Sequence, residues 1–286
     1  MTLRKRCLPP GWYPQEEAQV RAFLRGAARD KGRSACAAVA PHAGWAYSGA
    51  IAARAFAAVD PDADTIALIG GHLPAGSPAL FAEEDGLETP LGPLEIDHEL
   101  RSALRQALSP PLFQRQTARD RYQDNTVEVL LPMAAYFFPR ARLLPLRLPE
   151  EAASFEAGKA LARLGKAFNR RLAVIGSTDL THYGEPYGFT PQGTGSAALE
   201  WVREVNDKAF IEAVLAGSPE DMLRRAVQDR AACSAGAVLG AAGFALASGA
   251  GRGELLAYST SADGRRRSEY FVGYAAIAWR PTGDGI

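Results

Sequence analysis

The chain has 286 residues, in which 32 Lys plus Arg balance 32 Asp plus Glu, with only 4 His and 3 Cys. Balanced charge lacks the basic footprint that phosphate neutralisation requires, which argues against nucleic acid and anionic membrane surfaces as partners. Cys7, Cys36 and Cys233 are too few and too far apart for a disulfide framework. Pro9, Pro10 and Gly11 fall where a signal peptide needs its apolar run, so a cytoplasmic protein is expected.

In chain order, residues 36–40 (CAAVA) predict a buried strand ending at Pro41, followed by a helix over 50–59. A second strand over 65–69 (TIALI) ends in Gly70-Gly71, and 80–96, punctuated by Gly86, Pro90, Gly92 and Pro93, predicts short antiparallel strands and turns. Helices are expected over 98–108 and 127–137, a strand over 143–148, a helix over 155–168 and a strand over 172–175 (LAVI) before Gly176-Ser177. Residues 185–195, rich in Gly, Pro and Thr, suit a mobile loop. Helices over 197–216, 219–228 and 235–247 precede two last strands over 255–259 and 270–279. Strands alternating with helices imply one α/β domain, residues 1–286, with a central mixed or parallel sheet flanked by helices.

Residues 231–251 form a 21-residue uncharged stretch, long enough to span a bilayer. Fourteen of them are Ala or Gly, which gain little from lipid, so a tightly packed helix inside the α/β domain is the better reading.

In an open α/β sheet, ligands bind beyond the carboxyl ends of the strands. Four loops there carry chemistry-bearing residues. His42 follows CAAVA by two residues, His72 follows TIALI by three, and Asp179 and His182 follow LAVI in GSTDLTHYG. Cys233 opens the Ala/Gly helix, where the dipole and unpaired amides favour a thiolate. Each has a plain alternative: a hydrogen-bonded loop histidine, a capping aspartate, a small buried cysteine. Their coincidence at one rim points instead to a shared site. Two imidazoles and a thiolate form a borderline-soft set suited to Fe(II), Cu or Zn, with Asp179 and His182 available for acid/base work. His98 opens an amphipathic helix and reads as a surface residue. Trp12, Tyr13, Trp45, Tyr47 and Tyr183 cluster beside the ligand loops, which suits a pocket for a flat or peptide-like ligand, although aromatic residues near a buried sheet edge are core more often than binding site.

At these residues the chain resembles the Memo family, also known as protein B of the AmmeMemoRadiSam system. Gly11-Trp12-Tyr13-Pro14 resembles its G-S-W-Y-P, APHAGWAYSG over 40–49 its PHAGY-x-YSG, GGHLP over 70–74 its GPxH loop, and STDLTHYG over 177–184 its SSDxxHYG. Cys233-Ser234-Ala235-Gly236 sits where the family has its C-terminal cysteine, and Val272-Gly273-Tyr274-Ala275 resembles its VGYA. The resemblance implies a fold similar to the class III extradiol dioxygenases, with His42, His72 and Cys233 as metal ligands and Asp179 and His182 in the same pocket as catalytic groups. It implies a small-molecule or peptide ligand, and AMMECR-type and radical SAM companion proteins.

Two departures stand out. Where the family commonly has E-H-S-I-E-V-Q-L-P, this chain has DNTVEVLLP over 124–132, so that Asn125, which cannot titrate, replaces a pocket histidine, while the retained Glu128 reads as a pocket residue or, equally, as a solvated helix carboxylate. GGHLP also lacks the Pro before His72, which is expected to free that loop. The functions in view are a metal-dependent oxidoreductase, a non-catalytic metal or peptide binder with a relic pocket, and a hydrolase using Cys233 as nucleophile with His182 and Asp179.

Overall fold

The computed structural model describes residues 1–26, 34–122, 124–263 and 269–282. Four apolar runs form the parallel centre of a mixed sheet: Ala37–Ala40, Leu172–Ser177, Thr65–Gly70 and Arg142–Arg147 lie side by side in that order. Runs with few polar residues belong there because a parallel strand is covered on both faces. Their side chains alternate between two cores. Ala37, Val39, Ala67 and Ile69 face one, and Ala38, Ala40, Ile66 and Leu68 the other.

Antiparallel strands extend both sides. Phe271–Trp279 pairs with Ala37–Ala40, with Glu254–Thr260 and with the short strand His182–Tyr183. Across the sheet, Leu80–Phe81 runs antiparallel to Arg142–Arg147, and Ala118–Arg119 lies beyond it. Residues 80–96 divide accordingly: their first strand joins the main sheet, while Gly86–Leu87 and Leu94–Glu95 pair antiparallel in a small sheet with Leu3–Arg4.

Helices cover both faces. Glu17–Leu24, Ala50–Ala58 and Leu131–Phe137 bury one side; His98–Ala107, Ala153–Ala167, Asp207–Ala216, Pro219–Gln228 and Ala235–Ala247 bury the other. The last of these is buried from Ala235 through Ala245, which explains its lack of charge. No helix among the described residues is long and apolar enough to cross a membrane.

Three local readings change. The helix expected over 127–137 is two pieces, Asn125–Glu128 and Leu131–Phe137, with Pro132 in the first turn of the second. The first piece starts two residues earlier because the Asp124 side chain accepts the Thr126 amide proton at 2.9 Å. The helix expected over 197–216 contains a π-helical turn, Val202–Asn206, between Ser196–Trp201 and Asp207–Ala216. Residues 185–195 are tied down: Arg230 donates to the Tyr187 and Gly188 carbonyls, and the Tyr183 hydroxyl donates to Gly193 while accepting from Gln192.

Candidate metal centre

The strand order explains why residues far apart in sequence meet. Ala37–Ala40 and Thr65–Gly70 flank Leu172–Ser177, so the loops holding His42, His72 and Asp179 leave one rim of the sheet together. Cys233 precedes the buried helix beneath that rim, and its amide donates to the Asp179 carbonyl at 3.2 Å. One ligand atom each from His42, His72 and Cys233 lie within 4.8 Å of one another.

Both imidazoles are held from outside the cluster. His42, 1 % exposed, has Nδ1 2.9 Å from the Ser177 hydroxyl and Nε2 3.3 Å from the Cys233 sulfur. His72 has Nδ1 3.3 Å from an Asp124 carboxylate oxygen, and its ring packs edge-on against His42 with centroids 5.0 Å apart. Burial alone would lower the His72 pKa, but hydrogen bonds to Asp124 and Cys233 and their negative charge push it up to about 10. Arg147 joins the same chain of contacts: one guanidinium nitrogen is 3.3 Å from Asp124, and Nε donates to the Gly71 carbonyl at 3.0 Å. Asp124 is accordingly held well below the usual carboxylate range despite its burial.

The loop that aims His72 is therefore fixed without a proline. The Gly71 amide donates to the Thr126 hydroxyl at 3.2 Å, and a Cβ at position 71 would lie 2.4 Å from that of Ser234, so the close approach requires glycine. His72 itself holds φ at 57°, a left-handed conformation that such surrounding contacts must maintain.

Burial opposes the Cys233 thiolate, yet the electrostatic pull and hydrogen bond of His42, with the hydrogen bond from His72, bring the thiol down to about 6. Asp179 faces the reverse balance. Burial pushes its carboxyl up, against the charge of His182 and the amides of His42 and Ala43, which donate to Oδ1 at 2.7 and 3.2 Å. His182 has Nδ1 3.0 Å from the Leu180 carbonyl and its ring edge-on to Tyr187 at 5.1 Å.

A cleft of about 480 Å³ opens over this cluster, lined by His42, His72, Asp179 and His182 and, among the expected pocket residues, by Trp12, Tyr47 and Asn125. Asn125 donates to the His42 carbonyl at 3.4 Å. Tyr13, Trp45, Glu128 and Tyr183 are not among its lining residues. Trp45 is buried against Phe23 with Nε1 donating to the Val129 carbonyl, and Tyr183 stacks on Phe271. Glu128 is neither solvated nor in the cleft: fully buried, it accepts from the Cys7 and Leu8 amides and the Tyr13 hydroxyl, tying down the N-terminal segment that brings Trp12 to the cleft wall. His98, beside Asp85 and Arg101, stays on the surface.

Sequence reasoning passed over Ser177, Asp124, Arg147 and Thr178. Thr178 donates to the Asp179 carbonyl, accepts the Ser234 amide and lies 3.8 Å from the Cys233 sulfur. Ser177 and Thr178 sit inside the STDLTHYG motif, and Asp124 could have been found as the helix cap preceding Asn125. Arg147 gives no local signal.

Residues 4–278 match the family described as Memo-like protein. The chain is 31% identical over 285 residues to a MEMO1 family protein of Pyrococcus abyssi, covering 94% of this chain and 96% of the relative. It is 30% identical over 286 residues to one of Thermococcus onnurineus, with the same coverages, and 34% identical over 245 residues to one of Methanococcoides burtonii, covering 84% of each chain. With a matched family spanning nearly its whole length, a mixed α/β fold and a His/His/Cys cluster at metal-binding distance, this chain belongs to the Memo family.

Proposed function

We propose that His42, His72 and Cys233 hold one redox-active ion, Fe(II) or Cu, for oxidation of a small or peptide-like ligand taken up in the cleft. The reading rests on one observation: three donors converge within 4.8 Å while each histidine gives its Nδ1 to an oxygen outside the cluster. That is the arrangement that fixes ring orientation and leaves the second nitrogen for a metal. Two imidazoles and a thiolate fit a borderline-soft ion, Zn(II) included, and three protein donors would leave room for a further ligand. When bound, Fe(II) or Cu would supply one-electron chemistry with dioxygen.

The protein's own groups divide the remaining work. With Nδ1 directed at the Leu180 carbonyl, His182 keeps Nε2 to accept or donate a proton in the cleft. Asp179 holds the His42 backbone and places a buried carboxyl within electrostatic reach of His182. Asn125, where relatives of this motif carry histidine, can orient a ligand by hydrogen bonding but moves no proton.

Two other readings are distinguishable. For a cysteine hydrolase with a His182 base and an Asp179 orienter, the geometry is unfavourable: the sulfur's imidazole partner is His42, and Asp179 directs Oδ1 to the His42 and Ala43 amides. A non-catalytic binder would use the same donors without turnover. Oxygen uptake by Fe(II)- or Cu(I)-loaded protein, screened against phenolic, thiol and peptide libraries, decides between them. Metal-dependent uptake lost in His182→Gln is the expected result; tight metal binding with no substrate consumed across the library would favour the binder.

A further inference from the structure

A second cleft, of about 410 Å³, reaches the same centre from another side. Cys233 lines this one, and His182 and Tyr187 line both, so their paired rings stand between the two spaces. Ala226, Val227 and Ala232 provide apolar surface, and Glu150 and Arg230 provide opposite charges.

Neither charge is neutralised by the other. The Glu150 carboxylate takes part in no hydrogen bond or ion pair among the described residues; only its backbone is engaged, through an amide that donates to the Leu73 carbonyl at 2.9 Å. Half-buried, that carboxyl is pushed up by desolvation, with His72 pulling the other way. Arg230, exposed at the mouth of the cleft, is oriented by donating to the Gly188 and Tyr187 carbonyls at 2.8 and 2.9 Å and by lying over the Phe189 ring at 4.8 Å. A guanidinium has five N–H donors, so this clamp leaves three for a ligand. A half-buried acid with no hydrogen-bond partner and an oriented cation with spare donors, on the walls of one cleft, suit an occupant carrying both complementary charges.

We propose that this cleft binds a small zwitterion of amino-acid or dipeptide size, its ammonium on Glu150 and its carboxylate on Arg230, beside Cys233. The site does not depend on a metal at the three donors, so the test uses chelator-treated protein. Glycylglycine is the probe, with acetylglycine, which lacks the ammonium, and glycylglycine amide, which lacks the carboxylate, as controls. The readout is the rate at which iodoacetamide alkylates Cys233, followed by peptide mass spectrometry, with Cys36 as internal reference.

Glycylglycine is expected to protect Cys233 while neither control does so at the same concentration. The isosteric Glu150→Gln variant, which removes no hydrogen bond of the fold, should raise the half-protecting concentration about tenfold, the factor a hydrogen bond to a charged group supports. Val227→Trp, which fills the cleft from the helix Pro219–Gln228, should abolish protection. Equal protection by the three probes, no protection by glycylglycine, or protection unchanged in Glu150→Gln would overturn the proposal.

Discussion

Metal affinity is expected to rise about tenfold for each pH unit between pH 7 and 9, the slope of one proton displaced per ion. The reason lies in the charge state of the three donors before the metal arrives. Cys233 titrates at about 6 and is a thiolate throughout that range, whereas His72, paired with Asp124, keeps its proton up to about 10. An incoming ion must therefore expel the His72 proton. Below pH 6 the thiol must lose its proton too, and the slope should approach two. Competition against a chelator of known protonation behaviour measures the profile, and a flat line from pH 7 to 9 would contradict the assigned protonation states.

The same pair carries a signed effect on the metal-free fold. His72, raised in the folded state, contributes stability that is fully present below the unfolded imidazole value and is lost as pH climbs through about 10. Asp124, depressed, contributes above the unfolded carboxyl value and loses that contribution as pH falls through its own lower range. Metal binding replaces the first contribution, so loaded protein should lose less stability than metal-free protein between neutral and alkaline pH.

The second large effect concerns backbone contact between two helices. A Cβ at Gly158, in Ala153–Ala167, would lie 1.9 Å from the Gly240 carbonyl oxygen and 2.6 Å from the Phe244 amide nitrogen of Ala235–Ala247. Both obstacles are main chain, so no side chain can swing aside. Gly158→Ala gains about 1 kcal/mol of helix propensity, but overpacking costs ~1–3 kcal/mol where neighbours can adjust, and more where they cannot. A net loss of about 2 kcal/mol, or roughly 5 °C in Tm, is the expected outcome in a thermal melt. The displaced helix is the one Cys233 precedes, so metal affinity should fall with Tm. An unchanged Tm would show that these helices pack more loosely than the contact distances require.

The parallel centre was legible because CAAVA, TIALI and LAVI are apolar runs cut off by Pro or Gly, and the loops that follow them carry His42, His72 and Asp179. Strand order was not legible, and it is strand order that places the loop after the fourth parallel strand in the chain between the loops after the first two. Of the seven His and Cys residues, His42, His72, His182 and Cys233 reach one neighbourhood. Cys7 sits on Glu128, Cys36 is pushed up to about 12 by burial, and His98 is at the surface. The aromatic residues misled because their spacing says nothing of direction: Trp12 and Tyr47 line the cleft, while Tyr13, Trp45 and Tyr183 spend their polar atoms inside the fold. Glu128 was misread for a related reason. Its partners, residues 7, 8 and 13, lie more than a hundred positions away and carry no charge to announce them.

The central claim is that His42, His72 and Cys233 hold one ion, and its most direct test is metal stoichiometry. Chelator-treated protein is titrated anaerobically with Fe(II) and, separately, Cu(I), then freed of excess ion and analysed for bound metal. One ion per chain is expected for the wild type with at least one of the two metals, with binding lost in His42→Ala and in Cys233→Ala and kept in Cys7→Ala. Protein that stays metal-free in both titrations, or that binds one ion per chain equally well after Cys233→Ala, would contradict the account.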